Sequence, residues 1–402
     1  MTLSCLDPAA GVRPLELADI VAAHGSAYQS RHYVTPLQAR VLADIERCRT
    51  AALGGTLYGC AGCGFRRYVY LSCRNRHCPK CQSLVKARWL EARMAELLPV
   101  PYFHNVFTLP HELNPLILWN EANQRLLLNL LFRAASQTLL TFGKNNLGGK
   151  LGFTMVLHTW DQQLRPHFHV HAVVAAGALA DDGWIPASSR FLFAVRALSK
   201  VFRAKYLDGL TELLQQNQLQ LPPTHAHLLV ASKRRAWLRP LRRKGWVVYS
   251  KAPFAGPEKL LDYLGRYTHK TAIANHRLVA MQGDQVTFKW RDRANGDQRK
   301  LLTLPAEEFL SRFLCHVLPS GFMRIRHFGF LANRSKQQAL AACREHLQIS
   351  PPPAEEKSMI DLMLELTGVD ITACPHCGTQ LQPILFVPDS DGSTKPALFD
   401  SS

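Results

Sequence analysis

His169 and His171 stand one residue apart in the run RPHFHVHAVV, residues 165–174, whose aromatic and β-branched content suits a strand. Side chains at i and i+2 of a strand leave on the same face, so both imidazoles can turn to one metal ion while Val170 points the other way. The apolar run Leu151 to Trp160 precedes it across polar turn residues, which predicts a β-hairpin. A two-residue turn at Gln163 and Leu164 puts His158 opposite His169 on the same face, giving three imidazoles in one cluster. His167 shares that face, so the third position stands open between His158 and His167. Neutral imidazoles with open positions suit manganese, zinc or cobalt better than magnesium alone, although a bound phosphate can add the oxygens that magnesium prefers. A metal beside a phosphate also needs a nucleophile, and the segment GPEKLLDYLGRYTHKTAIANHRL, residues 256–278, offers Tyr263 and Tyr267. At i and i+4 of a helix whose first turn holds Pro257, both phenols share a face. With Leu260 and Leu264 they also form an ordinary apolar stripe that packing alone would explain.

The 11 cysteines are a poor disulfide framework for a reducing compartment, so their spacing reads as metal binding or packing. Cys60-Ala-Gly-Cys63 and Cys78-Pro-Lys-Cys81 are two C-x-x-C knuckles at a separation that predicts one tetrahedral structural zinc site. Gly64 and Pro79 suit tight turns whose amides point at thiolates. Cys48, Cys73 and His77 are candidates for a second site or a replacement ligand. Cys374-Pro-His-Cys377 is a lone knuckle, for which Cys343 or a second subunit would have to supply partners.

Charge points to the ligand class. Against 30 Asp and Glu the chain has 48 Lys and Arg, a net +18, and such a surface attracts polyanions. The bias is local. One cluster falls between Glu46 and Arg93, with Arg74, Arg76 and Lys80, and another runs from Lys233 to Lys244, with Arg234 and Arg235. Arg266 lies between the two tyrosines and Lys270 follows them. These are the candidate DNA-binding residues, with Trp237 and Trp246 available to stack on bases. No G-x-x-x-x-G-K-[ST] loop occurs, so no nucleotide cofactor is expected. His111-Glu112 lacks a second histidine at helical spacing, which excludes a zinc peptidase of that motif. The first 25 residues do not resemble a secretory signal and the apolar runs are short, so a cytoplasmic protein without a membrane partner is expected.

The elements that must position these groups form an α+β pattern. Apolar spacing predicts a helical leader over 1–45 and a zinc-binding, DNA-contacting module over 46–98 that ends in a helix from Lys86 to Leu98. A domain from 99 to 280 follows. It opens with a strand from Tyr102 to Leu109, a helix from Leu116 to Phe142 and a Gly/Asn loop from Gly143 to Gly149. After the hairpin come a helix from Val195 to Gln215, a strand at Trp246 to Tyr249 and a helix from Pro257. Residues 281–349 read as an extension of this catalytic unit, and 350–402 as a partly disordered tail.

Beyond spacing, the chain resembles the rolling-circle insertion-sequence transposases of the ninety-one type. The resemblance runs from about Cys48 to Cys343 through CRTAALGG (48–55), SCRNRHCPKCQ (72–82), FTLPHELN (107–114), LHTW (157–160), YLGRYTHKTAIANHRL (263–278) and LPSGFMRIRHFGFLANR (318–334). It implies a two-tyrosine HUH nuclease, with a central antiparallel sheet flanked by helices and a zinc module in front. By that likeness His169 and His171 bind a divalent metal, magnesium or manganese, and Tyr263 and Tyr267 are paired nucleophiles. The partner implied is single-stranded DNA at the insertion-sequence ends and target. The extra His167 departs from the family pattern, as does Thr56 where many relatives have histidine. A plasmid replication initiator or relaxase would share this chemistry. A zinc-containing DNA-binding regulator would share only the residues.

Overall fold

In the computed structural model the described residues are 13–187, 192–254, 265, 271–292, 295–351 and 357–388. They contain strands β1 (Gly55–Gly59), β2 (Arg66–Tyr70), β3 (Tyr102–Thr108), β4 (Lys150–Trp160), β5 (Pro166–Ala180) and β6 (Gly183–Pro186). The later strands are β7 (Val248–Phe254), β8 (Leu278–Gln282), β9 (Gln285–Asp292), β10 (Gln298–Pro305), β11 (Ile325–Gly329) and β12 (Gln382–Val387). All pairings among the described residues are antiparallel, which agrees with the expected α+β class.

The chain divides into two compact units. One comprises residues 92–268 and 318–354, the other 1–91, 269–317 and 355–402. These limits differ from the expected ones at 280 and 350. Only the second half of the 281–349 segment extends the sheet that carries the histidines, through β11 beside β4.

In the unit centred on residues 92–268 the strand order is β11-β4-β5-β3-β7, with β6 paired to the end of β5. One face is a continuous apolar layer. Phe103 and Phe107 of β3, Phe153, Met155 and Leu157 of β4, and Phe168, Val170 and Val174 of β5 are all buried there against helices Glu121–Leu147 and Val195–Gln215. Each such side chain contributes about 1.5–3 kcal/mol by burial. A one-residue slip of β4 against β5 would turn that layer to the opposite face, so packing fixes the register the histidines depend on.

The helix Glu121–Leu147 starts at Asn120, whose side chain accepts from the amide of Asn123, and stops at Gly148 with φ 70°. It runs through the expected loop at Gly143. That glycine serves close packing instead, since a Cβ there would lie 2.5 Å from Cγ of Leu151. This is the one helix among the described residues long and apolar enough to cross a membrane, and 61% of its most apolar window is buried in the protein.

The other unit begins with helices Leu17–Arg31 and Pro36–Arg47. The second is set by Pro36 in its first turn and a reciprocal Thr35/Gln38 capping box. Its two sheets are β8-β9-β10 and β12-β1-β2. Residues 382–387 of the expected tail thus pair with β1 of the zinc module.

Candidate metal centres

The first centre follows from strand pairing. His158 of β4 lies directly opposite His169 of β5, and His171 follows on the same face, paired with Val156. The register matches the expectation but the turn does not. Asp161 pairs with Arg165, its amide donating to that carbonyl, and encloses a three-residue turn, Gln162 to Leu164, with Leu164 at φ 62°; this is one residue longer than a two-residue turn, and an irregularity at Thr159 restores the pairing.

The rings of His158 and His171 are 4.6 Å apart, those of His169 and His171 4.9 Å, and those of His158 and His169 5.4 Å. One ring nitrogen from each lies within 4.8 Å of the others, and all three residues are at most 9% exposed. His167 is exposed and outside this set, so geometry favours His158 as the third ligand.

Outer hydrogen bonds choose the nitrogens. Nδ1–H of His169 donates to the His167 carbonyl at 2.8 Å, which turns Nε2 toward the cluster. Nδ1 of His171 is 2.9 Å from Nε2 of His104. Burial, with smaller contributions from Lys251 and His169, pushes His104 down to about 3, so it is neutral near pH 7 and can accept from Nδ1–H of His171. His158 stacks on Trp160 with centroids 5.0 Å apart and planes 17° apart. Three imidazoles converging on one point, two of them oriented by outer hydrogen bonds, form a donor set for a first-row divalent ion with coordination positions left open.

His104 was not legible as a functional residue. It sits in a strand buried on both faces, where a single histidine has no spacing to mark it. We expect His104→Ala to weaken metal binding by about 10–100-fold, as losses of outer-sphere partners do. Titration of manganese by electron paramagnetic resonance measures this, and unchanged affinity would make His104 a packing residue only.

The cysteines regroup. The expected set Cys60, Cys63, Cys78 and Cys81 is split, each knuckle joining other thiols. Cys48, Cys73, Cys78 and Cys81 form one group, with Sγ of Cys81 3.3 Å from Cys48 and 3.5 Å from Cys73. Cys60, Cys63, Cys374 and Cys377 form the other. The reason is β2, which stands between the knuckles. Five extended residues span about 17 Å, so the two knuckles lie at opposite ends of the β1–β2 hairpin. Hydrogen bonding within the group lowers the Cys48 thiol to about 7 and pushes Cys73 and Cys78 up. His77 lies outside both groups, and the knuckle at Cys374 is neither lone nor completed by Cys343, which is buried in the other unit.

The basic candidates divide. Arg74 is exposed and Arg76 half-buried in the zinc module. Lys80 is ion-paired with Glu16 at 2.6 Å, which ties it to the protein. On helix Ala231–Arg243 Arg235 is exposed, whereas Arg234 donates to the Leu228 carbonyl. Trp246 is corrected as a stacking residue, because it is buried and its indole N–H donates to the Leu241 carbonyl. Tyr263, Tyr267, Arg266 and Lys270 lie outside the described residues.

Residues 20–109 match the family described as "Transposase zinc-binding domain", and residues 152–339 match the family described as "Putative transposase". The chain is 46% identical over 371 residues to "Putative transposase y4qJ" of Sinorhizobium fredii, covering 90% of this chain and 92% of that one. It is 31% identical over 350 residues to "Transposase for insertion sequence element IS801" of Pseudomonas savastanoi pv. phaseolicola, covering 86% and 83%. Among solved structures it is similar to the conjugative relaxase TrwC in complex with OriT DNA, at 19% identity and a TM-score of 0.22 over 27% of this chain and 44% of that one. A likeness that partial carries no argument.

Proposed function

The chain belongs to the family of insertion-sequence transposases of the ninety-one type, and from that membership we propose that it cuts and rejoins single-stranded DNA by tyrosine attack. The observation that carries this reading is the cluster of His158, His169 and His171, three imidazoles held on two paired strands, with His169 and His171 oriented by outer hydrogen bonds. A divalent ion bound there, manganese or magnesium, would polarise a scissile phosphate and stabilise the charge that develops on it.

The chain's own groups do the rest. A phenolate oxygen of Tyr263 or Tyr267 attacks the phosphorus, the bond to the 3′ oxygen breaks, and that oxygen leaves as a free 3′-hydroxyl after taking a proton. The 5′-phosphotyrosine conserves the phosphodiester, so rejoining by attack of a 3′-hydroxyl needs no nucleotide cofactor. A second tyrosine allows a second transfer before the first link is resolved, which is the rolling-circle scheme. The zinc module and the basic helix would hold the strand at insertion-sequence ends and target, in the cytoplasm where the DNA is.

The test is incubation with single-stranded terminus DNA and manganese, followed by denaturing electrophoresis. A metal-dependent covalent adduct is expected. DNA binding without any adduct would instead leave a zinc-containing DNA-binding regulator.

Lys233, Arg235 and Arg239 are exposed on helix Ala231–Arg243. Changing all three to glutamine should weaken single-strand binding and flatten the slope of log affinity against log salt by about 2, roughly 0.7 per lost phosphate contact. Fluorescence anisotropy across a salt series reads this. An unchanged slope would move the DNA path off this helix.

A further inference from the structure

We propose that Cys60, Cys63, Cys374 and Cys377 bind a second structural zinc, separate from the one held by Cys48, Cys73, Cys78 and Cys81, and that this ion clasps the C-terminal segment onto the N-terminal module. The two knuckles are built alike. Cys60-Ala-Gly-Cys63-Gly64 and Cys374-Pro-His-Cys377-Gly378 share the pattern C-x-x-C-G, whereas Cys78-Pro-Lys-Cys81 is followed by Gln82 and leads into a helix. The amide of Gly64 donates to the Cys60 carbonyl at 3.0 Å, and that of Gly378 to the Cys374 carbonyl at 2.9 Å. The amides of Cys60 and Cys374 donate to the carbonyls of Phe65 and Thr379, each at 2.9 Å. Gly64 and Gly378 have φ of 73° and 75°, a conformation glycine adopts without a Cβ penalty. The same turn thus occurs twice, each presenting two thiols.

The turns face each other. Sγ of Cys60 is 3.3 Å from that of Cys377, and Sγ of Cys63 is 3.6 Å from that of Cys374. Four sulfurs at about 2.3 Å from one tetrahedral zinc stand about 3.8 Å apart, so the pocket needs only slight expansion to take the ion. Disulfides are a poorer account, since their sulfurs would be about 2.05 Å apart and these thiols are free.

The hairpin is shaped for the returning segment. A Cβ on Gly62 would lie 2.8 Å from Oγ1 of Thr379, and one on Gly59 would lie 2.2 Å from Cδ1 of Ile384. β12 adds to β1, and the Arg67 guanidinium donates to the Ile371 carbonyl at 2.6 Å. Yet among the described residues the core between the knuckles is Cys60, Cys374 and Leu381, with Tyr58 and Phe65 against it. So small an apolar cluster does not by itself hold a segment in place, and small modules of this size draw their stability from metal.

The experiment compares zinc content of the purified, reduced full-length chain by inductively coupled plasma mass spectrometry. Cys374→Ser/Cys377→Ser should lose about one zinc per chain relative to wild type, and amide exchange over residues 382–387 should accelerate. Cys73→Ser/Cys78→Ser should also lose about one, without matching exposure of 382–387. Any zinc at the histidine centre is common to all three proteins and cancels. A second variant guards against misfolding: with cobalt replacing zinc, Cys377→His should keep wild-type stoichiometry while shifting the visible absorption bands of the tetrathiolate ion. Unchanged zinc content in the Cys374/Cys377 variant, or cobalt bands indifferent to Cys377→His, overturns the proposal. None of these readings depends on DNA cleavage, so the clasp and the proposed chemistry can fail separately.

Discussion

With His169 and His171 both changed to alanine, the chain should form no detectable covalent adduct with single-stranded DNA while binding that DNA nearly as tightly as wild type. The two effects separate because they rest on different groups. Affinity should come from lysine and arginine contacts to phosphates, which this substitution leaves in place. Cleavage depends on charge stabilisation at one phosphate. Polarisation of that kind is worth several kcal/mol, and a loss of about 4 kcal/mol slows cleavage roughly a thousandfold. Val170 and Phe168, which alternate with the histidines, stay buried in the apolar layer, so the double substitution should leave the sheet folded. Anisotropy for binding and gel quantitation of the adduct give both numbers on one preparation. Normal cleavage by this variant would place the metal site elsewhere, and a parallel collapse of binding would mean that the histidines support the fold.

How far these centres could be read in advance depended on how local their causes are. The face shared by His158, His169 and His171 was legible because strand alternation fixes it, and burial of the opposite, apolar face holds the register. The turn itself was misread: Leu164 adopts φ 62°, which the sequence does not advertise, and the irregularity at Thr159 cancels the added residue. Helices with strong apolar spacing, such as Glu121–Leu147, were legible in existence but not in extent. There Gly143 looked like a stop signal, and its reason is a neighbour, Leu151, close in space.

The cysteine groups failed for a related reason. Knuckle spacing assumes that the intervening chain folds back on itself, but Arg66–Tyr70 is an extended strand that carries the knuckles apart, and the true partners return from beyond residue 370. A signal for that return was present in the glycine following Cys63 and Cys377 but not Cys81. His104 had none, because it matters only through the strand order that sets β3 beside β5.

Tyr263→Phe/Tyr267→Phe should abolish the covalent adduct entirely, the largest effect we expect of any substitution. Phenylalanine keeps the ring and the apolar character of the sequence pattern with Leu260 and Leu264, and it removes only the hydroxyl that would attack phosphorus. Metal binding at the histidine cluster and DNA affinity should be unchanged, which distinguishes a lost nucleophile from a lost fold. The single substitutions carry the finer information. On the helix expected from the sequence, phenols at i and i+4 would share a face and could reach the same phosphate, so at least one single variant should still form the adduct in vitro yet fail to complete transposition in cells, where two strand transfers are needed. Mass spectrometry of the adduct formed by each single variant identifies the residue that carries the DNA. Because residues acting as one unit are not additive, the double variant and the more damaging single variant should differ little in initial cleavage rate if one tyrosine always attacks first, and greatly if the two are interchangeable. An adduct of normal yield from the double variant would assign the nucleophile to another residue and remove both tyrosines from the mechanism.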